Sequence, residues 1–413
     1  MIKIITASQY SQQREKFSAP DVSEAVHKII ADVRARGDAA LREYAKKFDG
    51  AMFGEVSQEE FDEAFGSLSE RYLGILRRSA ENIREFHKRQ LREGFMFSPE
   101  DGVILGQRVL PLEKVGLYVP GGTASYPSSV LMNAIPAKIA GCQEIIAVCP
   151  KPSLEIMAAA KIAGVTKMFR IGGAQAVAAL AYGTESVPKV DKITGPGNAY
   201  VAEAKRQVYG DVGIDMIAGP SEILIIADKN NFASHLAADM LAQAEHDRAA
   251  TAILITNSRR VANNVSSEIE VQIEKLERRD IARASIDNNG VIIIVRNFNE
   301  AVDLANMIAP EHLEICTADP FEMMTKIRNA GSVFIGRNSP EALGDYYAGA
   351  NHVLPTMGTA RFSSPLSVDD FVKKSQFIYY SAGKLSDVSE DIEEFAKSEG
   401  LTGHARSVSI RRE

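Results

Sequence analysis

VGLYVPGGTASYPSSVLMNAIPAKIAGCQEIIAVC, residues 115–149, carries the fold class. VGLYV is a short apolar run, PGG a loop, SSVLMNAIPAKIAG a helix and EIIAVC a second apolar run. Apolar runs of this length bounded by glycine and proline read as buried strands, so the stretch is a βαβ unit by pattern. The alternation recurs downstream: KMFRIGG then AQAVAALAYG (167–183), KITGPGNAY then VAEAKRQVYG (192–210), and IDMIAGPSEILIIAD (214–228) before a helix from Asn231. TAILIT (251–256) precedes another helix, and NGVIIIVRNFNEAVDLANMIAPEHLEI (289–315) and RNAGSVFIG (328–336) continue the series. Strands alternating with helices predict an α/β fold with mostly parallel sheets.

Working outward, residues 21–50 read as helices, with another near 58–65 and a basic one over 76–94. Glu81, Glu85 and Glu93 dilute that basic helix, so a solvated face explains it better than a nucleic-acid patch. Residues 103–117 look like strands. After about residue 340 come a glycine-rich polar loop, a short helix (VDDFVKK, 368–374) and a charged helical tail.

The chain has 413 residues, 45% apolar and 24% charged, enough for two or three domains with ample core. A net charge of −7 offers no general attraction to nucleic acid or anionic membrane. No apolar run approaches the roughly 18 residues of a membrane span. MIKIITASQYSQQREKF has no signal-like apolar core and reads as a mature start, so a cytoplasmic location is expected. Cys142, Cys149 and Cys316 lack metal-like spacing, and an odd number argues against a disulfide framework. Cys149, in a buried-strand pattern, reads as packing.

Four loops gather between 120 and 220: Pro120-Gly121-Gly122, Gly172-Gly173, Gly195-Pro196-Gly197 and Gly219-Pro220. Such loops let backbone approach a phosphate, or simply turn tightly. None matches GxGxxG with a later acidic residue.

Among the histidines, His27 and His87 sit in surface-type helices and read as structural. LAQAEHD (241–247) is different. On a helix, His235, Asp239, Gln243 and His246 fall within about 80° of arc, and Gln243 and His246 converge beyond its end. APEHLE sets Glu311 beside His312, either as two bases facing different directions on a rigid turn or as the acidic first turn of a helix. GDYYAGANHVLP (344–355) offers Asp345 and His352 on a loop, and SEGLTGHARS (398–407) offers Glu399 and His404 near the terminus.

Together these stretches resemble the histidinol dehydrogenases. The likeness rests on YVPGGTASYPSSVLMNAIPAKIAGC (118–142), GGAQAVAALAYGTESVPKVDKITGPGNAYV (172–201), IDMIAGPSEILIIAD (214–228), LAQAEHD (241–247), PEHLE (310–314), GDYYAGANHVLPT (344–356) and EGLTGH (399–404). These run in the family's order from about residue 20 to the end. Pro365 departs from the family's glycine and touches no expected site residue.

The resemblance implies two incomplete doubly wound, Rossmann-like domains. The larger takes 20–117 and 223–366, and an inserted NAD-contacting domain takes 118–222. A small helical extension covers 1–19, and a tail over 367–413 crosses to the partner subunit of a homodimer. The implied reaction is the zinc-dependent, NAD-linked, four-electron oxidation of L-histidinol to L-histidine through L-histidinal, closing histidine biosynthesis. One zinc per subunit is expected on Gln243, His246, Asp345 and His404 of the partner subunit, orienting the substrate. His312 is the implied base for hydride transfer and Glu311 the activator of water. Ser221, Glu341, His352 and Glu399 are expected on the substrate with the metal ligands and His312; Tyr118, Gln175 and Asn198 are expected on NAD. A same-fold dehydrogenase for another primary alcohol, such as a sulfonated diol, is the nearest rival. A non-enzymatic binding protein would not need both Glu311 and His312.

Overall fold

The computed structural model describes residues 1–13, 21–121 and 125–412, so Gly122 of the first glycine loop and residues 14–19 of the expected extension lie outside the described residues. Its strands are β1 (Lys3–Thr6), β2 (Phe95–Phe97), β3 (Val103–Pro111), β4 (Lys114–Tyr118), β5 (Glu144–Val148), β6 (Lys167–Phe169) and β7 (Lys192–Thr194), followed by β8 (Gly213–Ile214), β9 (Glu222–Ala227), β10 (Thr251–Thr256), β11 (Val291–Ile294), β12 (His312–Cys316), β13 (Ser332–Ile335) and β14 (Val372–Tyr380). The opening stretch folds as its pattern predicts. β4 and β5 pair in parallel, joined by the helix Pro127–Ala140. Pro127 suits the first helical position, where its missing N–H is not needed, and Gly141 ends the helix at φ +99°.

The chain divides into two units, Met1–Gln90 with Glu113–Phe371, and Leu91–Leu112 with Val372–Glu413. The first holds two parallel sheets. One has six strands ordered β1-β11-β10-β9-β12-β13, the other five ordered β6-β5-β4-β7-β8. Their central strands are apolar and buried because helices cover both faces. Beside a central strand the order reverses between β9 and β12 in the larger sheet and between β4 and β7 in the smaller.

Two details differ from the sequence reading. The N-terminal extension is not wholly helical: β1 pairs with β11 at the edge of the larger sheet before the helix Ala7–Gln13 begins. Of the expected larger-domain segment 20–117, Val26, Ile30, Val33 and Leu41 share a core with the helix Gly173–Tyr182 of the smaller sheet.

The second unit is a three-stranded antiparallel sheet ordered β14-β3-β2, with helices Ala382–Ser398 and Thr402–Ser409. The helix expected at VDDFVKK is corrected here. Val368–Phe371 makes one 3₁₀ turn, and Val372 already starts β14, whose branched and aromatic residues favour an extended chain.

Candidate active site

The chemically equipped residues gather at the amino edge of the larger sheet. Ser221 precedes β9, and His312 opens β12 beside Ile223. The Glu222 N–H donates to Glu311 Oε2 at 2.8 Å, and His312 Nδ1 donates to the Glu222 carbonyl at 3.0 Å. Glu311 and His312 therefore do not face apart, and neither starts a helix. Oε2 and Nδ1 lie 3.6 Å from each other. With its proton on Nδ1, His312 keeps a lone pair on Nε2, a buried atom with no partner among the described residues. Burial lowers the imidazole pKa to about 4, so the ring is neutral near pH 7. Burial also lifts the Glu311 carboxyl well above its usual value, against the opposing Glu222 N–H.

Two helices bring the remaining groups. Gln243 lies, fully buried, in the last turn of the helix Ala233–Ala244, and His246 follows its end. The short helix Glu341–Tyr346 carries Glu341 and, one turn on, Asp345. One ligand atom each from His246, Glu341 and Asp345 lies within 4.8 Å of the others. Glu341, expected only as a substrate contact, is thus part of this cluster, and with the Gln243 amide turned so that its nitrogen faces the carboxyl, it donates to Oε2 at 2.8 Å. Burial keeps His246 neutral with a lone pair to give. Burial works to raise Asp345, but the His352 hydrogen bond and the neighbouring imidazoles hold it below the usual carboxylate value. Glu341 is pushed up, by burial first and then by Asp345 and Glu311. His352 Nδ1 donates to the Asp345 carbonyl at 3.1 Å. Imidazole, carboxylates and an adjacent amide with no thiolate fit a zinc ion that keeps open positions.

A cavity of about 250 Å³ is lined by His312, Asp345, His352, Phe334 and Leu343 among others. That is below the roughly 300–1,000 Å³ of drug-sized sites, so it suits a small substrate. The loop behind it is anchored by a helix defect. Pro136 has no N–H to give the carbonyl of Met132, and Asn351 Nδ2 takes that carbonyl at 2.7 Å. The same amide nitrogen meets buried His87 Nε2 at 3.2 Å, so the histidine read as structural serves this loop.

A second polar region lies at the carboxyl edge of the smaller sheet, at its reversal between β4 and β7, where open α/β sheets take ligands. Tyr118 ends β4, and its hydroxyl accepts the Gly173 N–H at 3.0 Å. Asn198 caps the helix Ala199–Val208, accepting from the Tyr200 N–H at 3.0 Å. Thr194 Oγ1 is a buried polar atom with no partner among the described residues, which suits a polar ligand. Beside it Gly195 stands at φ +109°, where a Cβ would come within 2.2 Å of the Tyr118 carbonyl oxygen. Asp215 accepts its N–H at 2.8 Å and Lys205 donates to its carbonyl at 3.0 Å, and these two buried side chains are ion-paired. Residues 215–221 then run from β8, at this edge, to the start of β9 at the other site. Seven residues span at most about 25 Å.

Glu399 and His404 belong to the second unit, both exposed, Glu399 at the end of one helix and His404 inside the next. The cysteines are buried, and burial pushes the Cys149 and Cys316 thiols up to about 12, so neither offers a thiolate. No helix among the described residues is long and apolar enough to cross a membrane. Sequence reasoning missed Glu222, whose contribution is backbone, and Glu314, Lys205 and Asp215, which act on other residues.

The model of the histidinol dehydrogenase family matches residues 12–412. Histidinol dehydrogenase of Geobacter sulfurreducens is 53% identical over 400 residues, 95% of this chain and 93% of the relative. That of Geobacillus kaustophilus is 54% identical over 397 residues, 94% and 93% of the two chains. The crystal structure of histidinol dehydrogenase from Elizabethkingia anophelis superposes with a TM-score of 0.93 at 35% identity, covering 99% of this chain and 98% of the other. With the fold shared end to end and sequence identity above one half over nearly the whole length, this chain belongs to the histidinol dehydrogenase family of oxidoreductases.

Proposed function

We propose that this chain catalyses the two NAD-linked oxidations that convert L-histidinol through L-histidinal to L-histidine, the closing steps of histidine biosynthesis in the cytoplasm. The observation that carries the proposal is His312: a neutral imidazole that lines a small cavity, its Nε2 unpartnered among the described residues, with an oxygen and nitrogen donor cluster beside it.

Gln243, His246 and Asp345 are the residues assigned to zinc, with His404 of the partner subunit completing the set. Zinc held there supplies a fixed point for the substrate's nitrogen atoms, and NAD at Tyr118, Gln175 and Asn198 supplies the hydride acceptor. The chain's own groups do the proton work. Hydride can leave the carbinol carbon only as its oxygen loses a proton, and His312 Nε2 is the base that takes it. In the second oxidation Glu311 takes a proton from the water that adds to the aldehyde. Burial lifts this carboxyl above its usual value, which makes its ionised form a stronger base. His312 then serves the second hydride transfer as it served the first. Ser221, Glu341, His352 and Glu399 position the substrate. No thiol is required, in keeping with the high thiol pKa values.

The homodimer is supported by the second unit, where Phe95, Phe97, Ile378 and Phe395 are each more than half exposed and ask for cover. We assign 367–413 as the crossing tail and retain 118–222 as the NAD-contacting insertion in a larger domain. The test is stoichiometry: NADH formed per L-histidinol with zinc and excess NAD. Two are expected. One would mean that the aldehyde escapes, and none would overturn the substrate assignment.

A further inference from the structure

Two carboxyl groups beside the site have no part in the chemistry above. Glu314, the third residue of β12, is 1% exposed. Asp239 lies one turn before Gln243 on the helix Ala233–Ala244, and the two carboxyls are hydrogen-bonded to each other. Such a bond requires that one of them keep a proton, and burial favours the protonated form of both. Glu314 has a second duty. Its Oε1 accepts the backbone N–H of Glu341 at 2.8 Å.

That N–H is the first of the helix Glu341–Tyr346, and the preceding residue, Pro340, gives it no side-chain cap. Glu314 supplies the missing acceptor from the neighbouring strand. Asp345 stands one turn further along the same short helix, so a shift of Glu341 moves Asp345 with it. At the other end of the row, Asp239 shares its helix face with Gln243. One line of hydrogen bonds therefore joins the helix that carries Gln243 to the helix that carries Asp345.

We propose that Asp239 and Glu314 are positioning residues, a buried carboxyl pair that holds the Glu341 amide and so places Glu341 and Asp345 for substrate and metal. The inference rests on the proposed zinc site. The pair's chemistry separates acceptor geometry from charge. Glu314→Gln keeps an oxygen for the Glu341 N–H and an amide to donate to Asp239. Asp239→Asn keeps a donor for Glu314. Glu314→Leu and Asp239→Leu keep neither.

The experiment measures zinc affinity of the full-length enzyme by competition with a chromophoric chelator, and KM separately for L-histidinol and NAD. Both leucine variants are expected to bind zinc about 10–100-fold more weakly, the usual effect of losing support behind a metal ligand, with KM raised for L-histidinol and unchanged for NAD. The Gln and Asn variants are expected to stay within about threefold of the parent, well inside that support effect. If the leucine variants do not fold, the amide variants decide: loss of zinc affinity in both overturns the proposal. Leucine variants with parental zinc affinity would also overturn it while leaving the zinc site intact. A parent enzyme that takes up no zinc would overturn the site reading and this inference together.

Discussion

Glu311 and His312, consecutive in the chain, hold opposite ends of one residue: the Glu222 N–H is given to the carboxylate at 2.8 Å and the Glu222 carbonyl takes the imidazole Nδ1–H at 3.0 Å. Neither base can rotate without abandoning a buried backbone partner. The clamp also selects the tautomer that leaves Nε2 as the basic atom.

Glu311→Gln tests the division of labour, because the amide oxygen still accepts the Glu222 N–H while the proton acceptor is gone. L-histidinal oxidation should slow by about 10²–10⁴, and L-histidinol oxidation to the aldehyde by less than about tenfold. Single-turnover NADH formation from each substrate separates the two. Equal slowing would remove the role given to Glu311.

His312 should show its low pKa in two ways. As the acid falls below pH 7, a free imidazole would protonate near 6.5, but His312 does so near 4. The acid limb of kcat/KM for L-histidinol should therefore carry no His312 step above about pH 5, the upper edge of a transition centred near 4. For stability, the unfolded chain binds this proton between pH 6.5 and 4 while the folded chain does not, so the residue's contribution rises with pH across that window. His312→Asn should flatten the rise of Tm from pH 4.5 to 6.5 in the metal-free protein. Parallel Tm curves would contradict the shift.

Lys205→Met would leave Asp215 charged and buried, a loss of about 3–5 kcal/mol, since the two side chains are only 2% and 1% exposed. A marked fall in Tm is expected, together with a raised KM for NAD because Gly195 loses a clamp. Adding Asp215→Asn should recover part of the loss, as coupled neighbours do not add. Strictly additive effects would show that the pair does not act as a unit.

Sharing of sites between subunits can be read by complementation. His404→Ala and His312→Ala proteins, each inactive alone, should recover part of their activity when dissociated and reassembled together. A mixed dimer can have one site free of both changes. No recovery in dimers shown to be mixed would place His404 in its own subunit's site.

The parts of the fold legible in the sequence were those whose side chains alone report their surroundings. β5, β9 and β10 are apolar along their interiors because they are covered on both faces. β1 escaped as four edge residues, and β14 because most of it is exposed and its partner β3 lies far away in sequence. In the site, a helix ending in Gln243 and His246 declares itself locally. Glu222 does not, since it acts through its backbone, and Glu314 reaches an amide 27 residues away. The orphan carbonyl under Pro136 was visible as a rule about proline, but not its donor, Asn351.

Residues 215–221 are the covalent tie between the edge assigned to NAD and the edge that holds the two bases. Gly219 is fastened at its N–H to Thr356 Oγ1 at 2.7 Å, which pins the segment part-way along. Removing one residue would shorten its reach by about 3.3–3.6 Å, whereas reacting groups work only when held within about 0.5 Å of alignment. The length of this segment is therefore expected to matter to catalysis, and alanine scanning, which keeps the length, would not report it.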